Sequence, residues 1–325
     1  MIGERAATPF GPPSLAEIRA AGDRIAGIAI RSPLLANDAI AGADVAIKCE
    51  NLQPIGSFKI RGAGSAATLL PPADLAAGLS TASAGNMAQG VAWCARHFGV
   101  AARVLVPDSA PATKLDALRR LGAEIIAVPF EEWWQAMADH RHPRLSGTFI
   151  HPFADADVLA GNGTIALEIL EDTPETDTIL VPWGGGGLAC GIASAVRALG
   201  SSARVLAVEI EGAAPLSASF ARHGPASIVP RRSFIDGIGG KGVAPEMWAL
   251  ASDLLAGVVT VTVPQVVAAV RLLAERVHLV AEGAGAASVA AALAGIVGAR
   301  RIVAVASGGN IDATILAAIL RGELP

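Results

Sequence analysis

The chain is poor in charge: Asp, Glu, Lys and Arg make up 17% of its 325 residues against 52% hydrophobic residues, which excludes an intrinsically disordered protein. It also lacks a basic excess. The formal net charge is −4, so the cationic surface that a nucleic-acid backbone requires is missing. Cysteine is scarce: Cys49, Cys94 and Cys190 are odd in number and far apart. That spacing argues against a disulfide framework or a zinc site and fits three buried small hydrophobes in a reducing compartment. No long apolar run occurs either. The most apolar stretch, 284–299, is shorter than the ~20 residues that span a bilayer. The N-terminal MIGERAATPFGPP has charges and prolines where a secretory signal is apolar. A soluble cytoplasmic protein is expected, with neither nucleic acid nor membrane as a partner. No fixed-period repeat or low-complexity tail is present, and no regulatory module is expected after Pro325.

What is present is alternation. The length suits two compact units or one large α/β unit. Ser14 and Glu17 form a capping box, and Leu15, Ile18, Ile25 and Ile28 continue at helical spacing, which predicts a helix running toward Pro33. Val45, Ile47 and Cys49 share one face of an expected strand, 44–50. Short β-branched runs then recur between Ala-rich helical stretches: 103–106, 124–128, 179–181, 205–208, 258–263 and 302–306. This is the pattern of βαβ units, so an α/β fold with parallel sheets flanked by helices is expected.

Four segments carry chemistry. Lys59 lies in GSFKIRGA (56–63), after a loop broken by Pro54 and Gly56 and before an Ala-rich helical stretch, 61–70. Such a lysine can form a Schiff base with a carbonyl cofactor, although a lone lysine is more often an ordinary surface residue. GGGG (184–187) follows the strand-like ILVPW and precedes a helical stretch, 188–199. Strand, glycines and helix together offer backbone N–H groups and a helix dipole to a phosphate. Four adjacent glycines do not give the spaced dinucleotide fingerprint, which argues against a nicotinamide cofactor. SGGN (307–310) ends the strand-like IVAVA, where open parallel sheets meet ligands, or forms a polar turn. SAGN (83–86) stands before the helical run 88–98, as a ligand loop or a plain helix start.

Together and in this order, the four segments resemble the threonine/serine dehydratase and serine racemase branch of the fold type II pyridoxal-phosphate enzymes, which also include the tryptophan synthase β subunit. HPFADADVLAGNGTIALEI (151–169), FIDGIG (234–239) and EGAGAAS (282–288) extend the likeness over most of the chain. The resemblance implies pyridoxal 5'-phosphate held covalently by Lys59. It implies that Phe58, Gly184, Gly185, Gly186, Gly187, Leu188, Gly237, Glu282, Ser307 and Gly308 surround the cofactor. Ser307 would face the pyridine nitrogen and leave it largely unprotonated, and Asn86 would bond the ring hydroxyl. Ser83, Ala84, Gly85, Asn86 and Met87 would hold the substrate carboxylate. It further implies a large domain, 1–76 and 147–325, a small mobile domain, 77–146, and a homodimer or higher homo-oligomer.

Departures from the pattern refine this. Racemases of the family tend to carry a serine where Ala84 stands, so elimination is expected over racemisation. Met87 replaces a usual histidine and suggests a larger or less polar substrate. In the family's cation site Glu209 and Ala213 match, but Pro215 offers no side-chain oxygen, so no metal is expected. The patch Glu131, Glu132, Trp133, Trp134 carries no assignment, and His140 and His142 are expected in solvent. The expected activity is dehydration of a β-hydroxy amino acid to a 2-oxo acid and ammonia. A racemase or β-replacement synthase of the same fold, or a non-catalytic cofactor binder, are the alternatives.

Overall fold

The structure is a computed structural model that describes residues 10–36, 44–296 and 298–325. Most of the 1–13 segment read for a secretory signal, and residues 37–43 of the expected large domain, lie outside them. The strands are β1 (Leu34–Ala36), β2 (Asp44–Lys48), β3 (Leu79–Ala82), β4 (Ala102–Pro107), β5 (Glu124–Val128), β6 (Thr148–Phe149), β7 (Thr178–Pro182), β8 (Arg204–Ile210), β9 (Gly257–Val261) and β10 (Arg301–Val305). The helices are α1 (Leu15–Arg24), α2 (Lys59–Thr68), α3 (Pro72–Ala76), α4 (Asn86–Phe98), α5 (Ala112–Arg120), α6 (Phe130–Asp139), α7 (Ala156–Asp172), α8 (Gly187–Ala198), α9 (Pro215–Arg222), α10 (Pro245–Leu254), α11 (Val263–Leu272), α12 (Gly283–Leu293) and α13 (Ala313–Leu320).

The α/β class is as expected. One sheet runs β1-β2-β10-β7-β8-β9, the other β5-β4-β3-β6, and every pairing is parallel except β1 with β2. Strand residues alternate faces, so the larger sheet is covered on both sides. Ile179, Val181, Val205 and Val303 meet Leu159, Leu188, Ile192 and Met247 from α7, α8 and α10. Leu180, Val208 and Ile302 meet Val266, Val289 and Ile319 from α11, α12 and α13. The apolar stretch 284–299 is mostly the buried α12, and among the described residues no helix is long and apolar enough to cross a membrane.

Local chemistry moved several boundaries. The capping box at Ser14 and Glu17 forms, but α1 stops at Arg24, because Gly27 takes a left-handed φ of 83°. Ile25 and Ile28 stay buried beyond the helix end. Val263 starts α11 instead of ending β9, since Thr262 and Gln265 form a second capping box. Lys59 is the first residue of α2 and Asn86 the first of α4, so each helix begins two residues before the stretch, 61–70 and 88–98, expected for it. These two helices lie close at Gly90, where a Cβ would come within 3.2 Å of the Lys59 carbonyl oxygen.

Candidate active site

Sheet order assembles the site. β2, β10 and β7 are neighbours, and the segments leaving their C-terminal ends carry Lys59, Ser307 and the glycine loop. Sequence-distant motifs thus emerge side by side, at the edge where open parallel sheets meet ligands. The first two are also tied directly: the Phe58 amide donates to the Ser307 carbonyl at 3.0 Å and the Gly309 amide to Gly56 at 2.8 Å.

The Lys59 amine donates to the Pro152 carbonyl at 2.6 Å and lies 5.0 Å from the Phe58 ring centre. Burial of the amine lowers its pKa to about 8. Two residues on, Arg61 is 2% exposed and donates to both Glu50 oxygens at 2.8 Å and to Glu168 at 2.6 and 2.9 Å. Lys48, fully buried, closes the network on Glu168 at 2.6 Å and on the Ser32 carbonyl at 2.7 Å. Burial works against the charge on Arg61, but Glu50 and Glu168 outweigh it and hold its pKa above the ordinary value. Two cations and two carboxylates balance beneath the start of α2.

Gly184–Gly187 lead into α8, whose N-cap Gly186 has φ 94° and makes no side-chain cap to the first amides. A Cβ at Gly186 would lie 2.4 Å from the Trp183 ring, and one at Gly185 2.1 Å from the Phe153 ring. The Gly237 carbonyl oxygen would stand 3.0 Å from a Cβ at Gly184. Leu188 sends its side chain into the core. Only its backbone stays with the loop.

From the other sheet, α4 brings Asn86 across the cleft. Its amide donates to Glu282 at 2.6 Å, and its oxygen accepts from Asn310 at 2.7 Å. Burial raises the Glu282 pKa to about 7, partly opposed by the Asn86 bond. Gly308 passes so close that a Cβ would lie 2.3 Å from the Glu282 carboxylate. Ser83 turns its hydroxyl back to the Gly85 amide at 3.2 Å, and among the described residues a Cβ built on Gly85 would meet open space beyond its own chain neighbours. Ala84 packs beside Ala88, Val104 and Leu118. Met87, 1% exposed, packs with Ile60 and Val91 in the core, so its thioether meets other apolar side chains there. Beside these residues a cavity of about 440 Å³ is lined by Lys114, Asp236, Glu282, Asn310 and Asp312, with Lys114 and Asp236 paired at 2.5 Å.

Other expected residues lie apart. Both Glu209 oxygens are taken by the Leu216 amide, the Ser217 amide and the Ser217 hydroxyl, each at 2.8 Å, and Pro215 opens α9. The residue therefore caps a helix. His142 does not stand in solvent: its side chain is 8% exposed and bonds Glu132 at 2.8 Å. His140 is exposed yet stacks on His151, Trp133 packs beside Ala136 and Phe149, and Trp134 is 39% exposed. The three cysteines are free and buried. Sequence reasoning missed Pro152, Phe153 and Asn310 as site neighbours. The first two lay in the quoted HPF stretch and the third in SGGN, but nothing local signals a carbonyl or ring approaching from across the cleft.

Comparison with known proteins shows the family. The sequence profile of the family described as "Pyridoxal-phosphate dependent enzyme" matches residues 26–308. The L-threonine ammonia-lyase of Thermotoga maritima is 37% identical over 288 residues, covering 88% of this chain and 72% of the relative. A serine racemase of Oryza sativa subsp. indica is 34% identical over 310 residues, 92% of this chain and 91% of that one. The crystal structure of a T.th. threonine deaminase superposes with a TM-score of 0.84 at 35% identity, covering 92% of this chain and 99% of that one. The residues fit the cofactor of that family: a buried amine of lowered pKa, and a glycine loop opening a helix whose start carries no side-chain cap.

Proposed function

Because the chain belongs to the pyridoxal-phosphate dependent enzymes and is threonine ammonia-lyase-like, we propose that it dehydrates a threonine- or serine-like β-hydroxy amino acid to a 2-oxo acid and ammonia. Bound pyridoxal 5'-phosphate supplies an electron sink for the charge that develops at the substrate Cα. Lys59 carries the group; the amides of Gly184–Leu188 hold its phosphate, Ser307 and Asn86 meet its ring, and Phe58, Gly237, Glu282 and Gly308 border it. The N–H groups of the 83–87 loop hold the substrate carboxylate. Lys59, the residue that would hold the group, would also accept the Cα proton at Nζ. A pKa near 8 leaves a share of the amine neutral around neutral pH, as both a nucleophile and a base require. The hydroxyl departs, and the dehydrated product takes up water and releases ammonia.

The observation that carries the lyase reading is the methyl of Ala84, packed among apolar neighbours, which cannot deliver a proton to a carbanion. Racemisation is the second reading, favoured by the likeness to serine racemases. The unit built on the four-stranded sheet is read as the part that closes over the substrate, and the protein as a homo-oligomer. Release of 2-oxo acid and ammonia from a panel of L- and D-β-hydroxy amino acids tests the reading. The expected result is turnover of L-threonine or L-serine with no accumulation of the opposite enantiomer, and none by Lys59→Ala. Enantiomer formation without ammonia would favour the racemase.

A further inference from the structure

We propose that His151 is a positioning residue for Lys59: it fixes the turn 151–154 so that the Pro152 carbonyl receives the lysine amine and Phe153 lies against the glycine loop. The role goes beyond the proposed activity, and rests on it only in taking Lys59 as the cofactor lysine.

The turn is where the chain leaves the four-stranded sheet at β6 and heads for α7. Ile150 is still tied to that sheet, its amide to Ser80 at 2.8 Å and its carbonyl to the Thr81 hydroxyl at 2.8 Å. Past Ile150 the backbone has no ladder to follow. His151, 4% exposed, replaces it: Nδ1 accepts the Ala154 amide at 2.7 Å and the Phe153 amide at 3.3 Å. An Nδ1 that accepts twice carries no proton, so the ring holds its hydrogen on Nε2, and it also bonds the backbone of Met137 on α6. The ring is wedged between His140, stacked at 4.2 Å, and Phe153, edge-on at 4.5 Å. Burial first, then the facing charges of His140 and Lys59, push its pKa down to about 3, so the acceptor persists throughout the range in which the protein works.

One imidazole thereby sets two contacts of the site. Pro152, between the ring and the two amides it captures, turns its carbonyl to the Lys59 amine at 2.6 Å. The Phe153 ring lies where a Cβ at Gly185 would touch it at 2.1 Å. A histidine kept only to fill the core would serve through its shape and its bond to α6. A positioning histidine serves through the Nδ1 acceptor.

His151→Asn and His151→Gln separate the two. Asparagine can place an oxygen near Nδ1 and accept the turn amides; glutamine reaches the Nε2 position and keeps the α6 bond without the turn acceptor. The asparagine variant is expected to retain kcat and cofactor affinity within about threefold. The glutamine variant, at equal Tm, is expected to lose about 100-fold in kcat, the scale of a displaced catalytic group. The pH midpoint for acetylation of Lys59 by acetic anhydride, read by peptide mass in the cofactor-stripped full-length chain, should stay near 8 in the wild type and the asparagine variant. It should fall in the glutamine variant, because the Pro152 carbonyl, whose hydrogen bond favours the ammonium, is displaced. Identical behaviour of the two variants, in activity and in midpoint, overturns the proposal. Should glutamine lower Tm, the asparagine variant decides alone, and a midpoint that moves in it overturns the proposal. The acetylation needs no turnover, so a wild type that releases no 2-oxo acid would refute the lyase reading and leave this one measurable.

Discussion

On the Lys59 side of the cleft, Arg61 and Lys48 share Glu168 and Arg61 also holds Glu50; the two cations and Glu50 are 2% exposed or less, so the first turn of α2 is anchored by a largely buried charge network. On the Asn86 side, α4 crosses to the larger sheet through Asn86 bonded to Glu282 and Asn310, and α5 through Lys114 paired with Asp236, whose side chains are 29% and 55% exposed. Water competes for that pair and salt screens it, while the buried network feels both far less. The half expected to carry the cofactor is therefore built to hold one geometry. The half expected to meet the substrate is attached by bonds that can open and reform at little cost.

Breaking the buried side should have the largest effect. Arg61→Met leaves Glu50 and Glu168 without their shared cation and is expected to cost about 3–5 kcal/mol in urea unfolding, with weaker cofactor retention. A loss under about 1 kcal/mol would mean the network is not the anchor. Second is Glu282, at the boundary between the halves. Its folded pKa of about 7 exceeds the ordinary 4.5, so the native cofactor-free chain binds this proton more tightly than the unfolded one. Its contribution is complete below about pH 4.5 and fades as the pH rises through 7. Glu282→Gln should flatten that slope and leave the variant roughly 2–3 kcal/mol more stable than the wild type at pH 8. An unchanged slope would place the carboxyl in water.

Third, Lys114→Met should change stability by no more than about 1 kcal/mol, because the pair is partly exposed. It should raise KM a few-fold with kcat nearly constant if closure is all that the pair assists. A collapse of kcat would make Lys114 part of the chemistry. The smallest effect belongs to metal removal. The Glu209 oxygens already bind the start of α9, so a chelator should leave both Tm and activity unchanged. A falling Tm would show that a cation displaces those amides.

The four motifs were readable because each is a local statement about backbone: a lysine at a helix start, glycines between strand and helix, a polar turn at a strand end. The class was readable from alternating β-branched and Ala-rich stretches. His142 was misplaced because a side chain's burial depends on neighbours that its own segment does not name: it folds back on Glu132. The end of α1 was missed because hydrophobic spacing continues past Gly27, where the backbone already turns left-handed.

The sequence by itself determined that β-α alternation would build parallel sheets, since periodicity acts over a few residues, while its resemblance to a known family marked the segments that could serve a lysine-bound phosphate cofactor. Only the tertiary structure decided that β2, β10 and β7 lie side by side and deliver Lys59, Ser307 and Gly184 to one edge. Only it turned the carbonyl of Pro152 to the lysine, and Asn86 to Glu282, because strand order and contacts across a cleft are set by the packing of whole sheets and helices.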